Sequence, residues 1–246
     1  MTTLSSTVYG RVKRSPIGPA LSALPMPVGF HDGRTRAATF ALWRLHRVWR
    51  SQPSLEEESR AVYEAYEGGD VIDVGAFEGW YSVLLGPKLG GSTIASCEPD
   101  PSAYVELQTT LSLLGRVFPE PTFVPLPVPI GDGGLVSETQ PEGGHPRFGG
   151  AVEGGRPAPT LDGLVATLGL APGMIKIDVE GAEPFVLRGM QRTLAAHRPL
   201  VMLEVHPQWL PEGIPPAEVE EMLSAHGYTP ARIAVDELAT RTLWTP

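Results

Sequence analysis

A doubly wound α/β domain with a mostly parallel sheet is the fold class predicted by this 246-residue sequence. Three observations carry the prediction. From Val71 onward, short apolar runs alternate with stretches of helical period, the pattern of repeated strand–helix–strand units. The run Val71-Ile-Asp73-Val-Gly75-Ala-Phe-Glu-Gly79 reads as a buried strand that ends in an acid and turns through glycines into a helix. Two strand-like runs close the chain, 228–235 and 239–244, and Asp236-Glu237 between them marks a hairpin.

Each element follows from local pattern. Residues 1–33, rich in Pro, Gly and Ser, lack periodicity and predict an extended arm. In 37–50, Phe40, Trp43 and Val48 mix with Arg44, Arg47 and Arg50 at helical spacing, so a basic amphipathic helix is expected, packed on the domain in preference to lying on a membrane surface or covering an anionic ligand. A further helix over 55–66 ends at Gly68-Gly69. Residues 71–74 form a strand, 79–85 a helix and 92–97 the next strand. Asp100-Pro101 then caps a helix whose Tyr104, Leu107, Leu111 and Leu114 share one face. Pro125, Pro127 and Pro129 confine a strand over 122–128 to a sheet edge. Residues 131–159, with four glycine pairs, read as a long functional loop. Thr160 caps a helix over 161–168, a strand spans 174–180, a single helix 183–196, a strand 200–205, and a helix over 216–225 stops at Gly227. The domain organisation is thus an N-terminal basic segment, 1–67, followed by one α/β domain, 68–246.

Composition limits the function classes. At 42% hydrophobic and 19% charged residues, the chain has material for one large core. The net charge of −9 speaks against a nucleic-acid duplex as partner, because phosphate binding needs a basic footprint. Residues 1–50 hold eight Lys or Arg against Asp32 alone, so a segment of +7 precedes a body of −16. The lone Cys97 excludes an intrachain disulfide and fits a reducing cytoplasm, as a buried strand residue. No run of about 18 apolar residues exists, and residues 1–10 lack the apolar core of a signal peptide. A cytoplasmic protein without integral membrane association is expected, compatible with a homo-oligomer.

The most informative stretch is Lys176-Ile-Asp178-Val-Glu180-Gly181-Ala-Glu183. A doubly covered parallel strand normally reads as an apolar run. Here charges alternate with Ile175, Ile177 and Val179, so one face near the strand end points at something other than a hydrophobic core. The Gly75–Gly79 turn is not a dinucleotide fingerprint, since Phe77 stands where the second glycine belongs. Glu98 lies about twenty residues beyond that turn, the spacing at which such folds place an acid on a ribose diol. Turn and acid together point to a nucleoside ligand.

The blocks VIDVGAFEGWYS, CEPDP, PTLDGL, KIDVEGAEPFVLRGM and RPLVMLEVH, spread over about 68–207, resemble the FkbM-type S-adenosylmethionine-dependent methyltransferases. The resemblance implies a Rossmann-like class I methyltransferase fold: a seven-stranded sheet with an antiparallel C-terminal hairpin, and methylation of hydroxyl oxygens on natural-product or carbohydrate-like small molecules. It implies that Asp73, Gly75, Ala76, Phe77 and Gly79 frame the methionine end of S-adenosyl-L-methionine and that Glu98, with Pro99, takes the ribose. Asp132, in Ile130-Gly131-Asp132, stands beside adenine, and Asp178 borders the cofactor.

An alcohol is a poor nucleophile while it keeps its proton, so a base or a metal ion must assist. His206 is the expected base. It ends the strand 200–205 and shares a face with Glu204, which can orient the ring; Asp178 completes the catalytic set. His145 is a second candidate, and His46, His197 and His226 read as surface residues. For a metal, Asp178, Glu180 and Glu204 offer hard oxygen ligands suited to Mg²⁺ or Ca²⁺. The metal-free reading is preferred, with Asp178 as a hydrogen-bond acceptor paired to Lys176 and Glu183 as a helix N-terminal acid. Two other classes compete: a catalytically silent S-adenosylmethionine-binding module, and a nicotinamide-dependent oxidoreductase, which Phe77 disfavours.

Overall fold

The computed structural model describes residues 54–136, 155–235 and 238–246. The basic helix expected over 37–50, His46, His145 and most of the 131–159 loop lie outside the described residues. Helix α1 (Ser54–Ala65) leads into β1 (Asp70–Val74), α2 (Trp80–Leu85), β2 (Thr93–Cys97), α3 (Pro101–Val117) and β3 (Thr122–Leu126). A two-residue ladder, β4 (Leu135–Val136) with β5 (Arg156–Pro157), precedes α4 (Leu161–Leu168) and β6 (Pro172–Ile177). Then follow α5 (Glu183–Arg188), α6 (Gln191–His197), β7 (Leu200–Val205), α7 (Pro216–Ser224), β8 (Thr229–Val235) and β9 (Thr240–Thr245).

Seven strands form one sheet in the order β3-β2-β1-β6-β7-β9-β8. The pairs from β3 to β7 are parallel, and β9 runs antiparallel to both β7 and β8. This is the class I architecture with its antiparallel closing hairpin. The order reverses between β1 and β6, so the crevice beyond their C-terminal ends is where such a sheet binds ligands. Proline-bearing β3 takes the edge, as its composition requires.

The caps form as chemistry dictates. Asp100 accepts from Ser102 N and Ala103 N, with Pro101 at the first helical position of α3, and Thr160 accepts from Gly163 N at α4. At the other end of β1, Asp70 accepts from Thr93 N and Ala171 N, both at 2.7 Å, tying β1 to the segments on each side.

The core has two layers set by the period of two. Ile72, Val74, Ile175, Ile177, Val201 and Leu203 face α4 to α7 through Val186, Leu187, Leu194 and Leu223. Val71, Met174, Leu200 and Met202 face the other way, against Val62 and Tyr66 of the α1 segment and Tyr81, Leu84 and Leu85 of α2. The α1 segment thus contributes Val62 and Tyr66 to this second layer. Lys88 donates to the carbonyls of Tyr63 and Tyr66 at 2.6 Å, closing the C-terminal end of that helix.

Two expectations need correction. The strand over 174–180 ends at Ile177, and Glu180 adopts φ 53°, so Asp178 and Glu180 lie on a turn and not on a strand face. The single helix over 183–196 is broken into α5 and α6 at Gly189-Met190. Two backbone crossings meet there: Gly189 O accepts from Asp162 N at 2.9 Å, and a Cβ on Gly189 would stand 2.0 Å from the carbonyl oxygen of Gly131.

Gly189→Ala should accordingly cost about 2–3 kcal/mol through overpacking. Gly115→Ala, on α3 with nothing within 4 Å of the added methyl, should instead gain about 0.5–1 kcal/mol. Urea-unfolding midpoints at unchanged m-value check both.

Candidate active site

On the face covered by α1 and α2, the apolar row ends and a charged row begins. Asp73 of β1 pairs in register with Lys176 of β6, and Glu204 of β7 with Arg241 of β9. All four are buried. Lys176 Nζ donates to the Gly75 carbonyl at 2.5 Å and lies 3.4 Å from both Asp73 Oδ1 and Asp178 Oδ2. Burial works against its charge, but Asp178 and Asp73 outweigh it and hold the ammonium above its ordinary pKa. Arg241 donates to Glu204 Oε1 at 2.5 Å, and its Nε stands 3.2 Å from Glu58 Oε2 of α1. Glu58 in turn accepts from the Tyr81 hydroxyl.

His206 follows β7 and is buried among acids. Its Nδ1 is 3.3 Å from Glu183 Oε1 and 3.9 Å from Asp178 Oδ1, and its Nε2 is 3.5 Å from Glu204 Oε1. Glu183, fully buried at the start of α5, also accepts from Gly181 N at 3.1 Å. Burial lowers the imidazole pKa, but the Glu183 hydrogen bond and the Asp178 and Glu204 charges prevail and raise it. Glu204 is pushed up to about 8 by burial and then by Asp178, despite Arg241, and Glu180 to about 7 by burial and Asp178. The carboxylates outnumber the cations, so the site has room for positive charge.

The glycine-rich turn lies above this layer. Gly75 has φ 78°, and a Cβ there would fall 1.8 Å from the Asp178 carbonyl oxygen; at Gly79, with φ 91°, it would meet Leu107 at 2.9 Å. On the side where a Cβ would point, both glycines face protein, and this lets the β1 turn pack on the end of β6 and on α3. Ala76 is buried, whereas Phe77 has φ 47° and is exposed. Glu98 accepts from Phe77 N at 2.7 Å and Asp100 N at 2.8 Å, which fixes both carboxylate oxygens while leaving each a lone pair. Burial raises its pKa against those two amides. Pro99 is half-buried, and Asp132 is exposed and accepts from Gly134 N.

Of the residues anticipated from sequence, Asp178, Glu204 and His206 converge: one ligand atom from each lies within 4.8 Å of the others. This group of three keeps Asp178 and Glu204 of the expected metal set and has His206 in place of Glu180. Glu183 opens α5 as the expected helix N-terminal acid and, in addition, contacts the imidazole. Glu58, Tyr81 and Arg241 were missed, since single polar or charged side chains on a helix or hairpin carry no sequence signal of a buried partner. His197 is exposed; His226 is half-buried and bonds Gln191.

Residues 73–230, more than half of the chain, match a family model described as the Methyltransferase FkbM domain. The hexuronic acid methyltransferase AglP of Haloferax volcanii is 27% identical over 195 residues, covering 76% of each chain. The crystal structure of a methyltransferase FkbM from Methylobacillus flagellatus KT superposes with a TM-score of 0.51 at 17% identity, a likeness of fold. That alignment covers 96% of this chain and 60% of the length of the other.

The raised pKa values have one sign. Folded Glu180, Glu204 and His206 hold protons that the unfolded chain releases above about 4.5 for the acids and 6.5 for the imidazole. Folding therefore takes up protons, and the stability of the free protein should fall as pH rises from about 5 to about 8. Melting temperatures across that range should decline by a few degrees, at about 2–4 °C per kcal/mol. Glu204→Gln should flatten the decline.

Proposed function

The chain belongs to the FkbM methyltransferase family, and from that premise we propose that it is an S-adenosylmethionine-dependent O-methyltransferase. Its acceptor is a hydroxyl of a natural-product or carbohydrate-like small molecule. The observation that carries this reading is the set of acids at the C-terminal ends of β1, β2 and β6, with His206 held beside them between Glu183 and Glu204. Asp73, Glu98 and Asp178 suit a cationic nucleoside: Glu98, pinned by two amides, accepts from a ribose diol, and Asp73 and Asp178 stabilise positive charge. Both carboxylate oxygens of Asp73 are buried without a hydrogen bond, and Lys176 at 3.4 Å offsets only part of its charge. Bound S-adenosylmethionine supplies the activated methyl group.

The chain's own residues do the rest. Glu183 holds His206 through Nδ1, so Nε2 is the atom that takes the acceptor's proton, next to Glu204. The imidazolium so formed is stabilised by the surrounding carboxylates. Positioning of acceptor against methyl donor contributes about 7–11 kcal/mol in well-oriented reactions. A carboxylate acceptor would meet the Asp178 carboxylate as a like charge beside His206, which favours a neutral hydroxyl. A second reading rests on the convergence of Asp178, Glu204 and His206, which would hold a divalent cation with the Glu183-oriented imidazole as ligand. Arg241 already occupies Glu204 Oε1, and this favours the metal-free form. The reading takes the enzyme to be cytoplasmic and to need no nucleic acid; no helix among the described residues is long and apolar enough to cross a membrane.

Calorimetry tests the cofactor site. Asp73→Asn and Glu98→Gln should each weaken S-adenosylmethionine binding about 10- to 100-fold, the scale of a hydrogen bond to a charged group. Unchanged affinity in both variants would sink the pocket assignment. Methyl transfer to hydroxylated glycosides tests the base: His206→Ala should lower kcat about 10²- to 10⁴-fold with cofactor affinity near wild type. Activity abolished by EDTA and restored by Mg²⁺ would select the metal form instead.

A further inference from the structure

Two of the exposed large apolar side chains, Phe77 and Trp209, belong to the loops that build the site. Trp209 has a placement that burial does not explain. It stacks on the buried His206 ring, with centroids 4.9 Å apart and planes 26° from parallel, yet 43% of its surface stays exposed. Its position is set by backbone. Trp209 N donates to the His206 carbonyl at 3.0 Å, closing the turn after β7. Gly181, at φ 100°, brings the turn after β6 against this one: a Cβ there would stand 2.1 Å from Trp209 O and 3.0 Å from Trp209 Cβ. A large aromatic held by two loops, packed on the imidazole and open to solvent, is a ready stacking surface.

Resting on the methyl-transfer reading, we propose that Trp209 is the platform on which the ring of a neutral sugar acceptor stacks, presenting a ring hydroxyl to His206. A pyranose has an apolar face of C–H groups that suits an indole and a rim of hydroxyls that suits carboxylates. Both surfaces are present: the indole, and Asp178 and Glu204 beside His206. Asp178, 3.9 Å from His206 Nδ1, selects against an acceptor that carries its own negative charge.

The test uses protein loaded with S-adenosylhomocysteine and saturation-transfer NMR with methyl β-D-glucopyranoside and its uronic acid counterpart. Wild type should transfer saturation to the ring C–H protons of the neutral glycoside. Trp209→Ala should weaken glycoside binding on the order of tenfold and leave S-adenosylhomocysteine affinity unchanged; Trp209→Phe should restore most of the loss. Equal glycoside binding by wild type and Trp209→Ala, or no glycoside signal in a wild-type protein that binds S-adenosylhomocysteine, would overturn the platform. Preference for the uronic acid form would overturn the neutral-ring assignment. Glycoside binding that depends on Trp209 in a protein without S-adenosylhomocysteine affinity would support the platform and refute the methyl-transfer reading.

Discussion

Lys176 is the interaction on which the site depends. A buried ammonium survives only where anions and hydrogen-bond acceptors surround it. Here the Gly75 carbonyl, Asp73 and Asp178 do so, and they belong to β1, its turn and the turn after β6. One cation thus holds together the two central strands at the point where the sheet order reverses. The same contact explains the glycine at position 75, because the turn that offers its carbonyl to Lys176 also packs on the Asp178 backbone.

A second cation, Arg241, extends the layer outward. It links Glu204 on β7 to Glu58 on α1, so a strand of the C-terminal hairpin and a helix that precedes the sheet both border the chemistry. Removing one member would leave a buried charge without its counterpart, at a cost of about 3–5 kcal/mol. With fewer cations than acids, the layer raises the pKa values of Glu180, Glu204 and His206, and bound positive charge would lower each of them. Electrostatic need and cofactor chemistry therefore agree.

Much of the fold was legible in sequence because it is written in local signals. The Asp100 and Thr160 caps, the prolines of β3, the glycine stop after α7 and the apolar central strands each act within a few residues. What failed was non-local. At Gly189, where α5 ends, the chain meets the Gly131 backbone some sixty residues away, and the burial of Glu58 and Arg241 depends on strand and helix neighbours far along the chain. In the site, Asp73, Glu98, Asp178, Glu204 and His206 stood out because each ends an apolar strand or follows it directly.

The sequence by itself determined the alternation of elements, the acids at three strand ends and the family, since period, turn chemistry and motif are properties of adjacent residues. Tertiary structure alone decided how those acids are used. It placed Glu183 on His206 and Arg241 on Glu204, put Glu180 on a turn, and set Trp209 against the imidazole. Distances between side chains on different strands arise from register and twist, and those are settled only when the sheet closes.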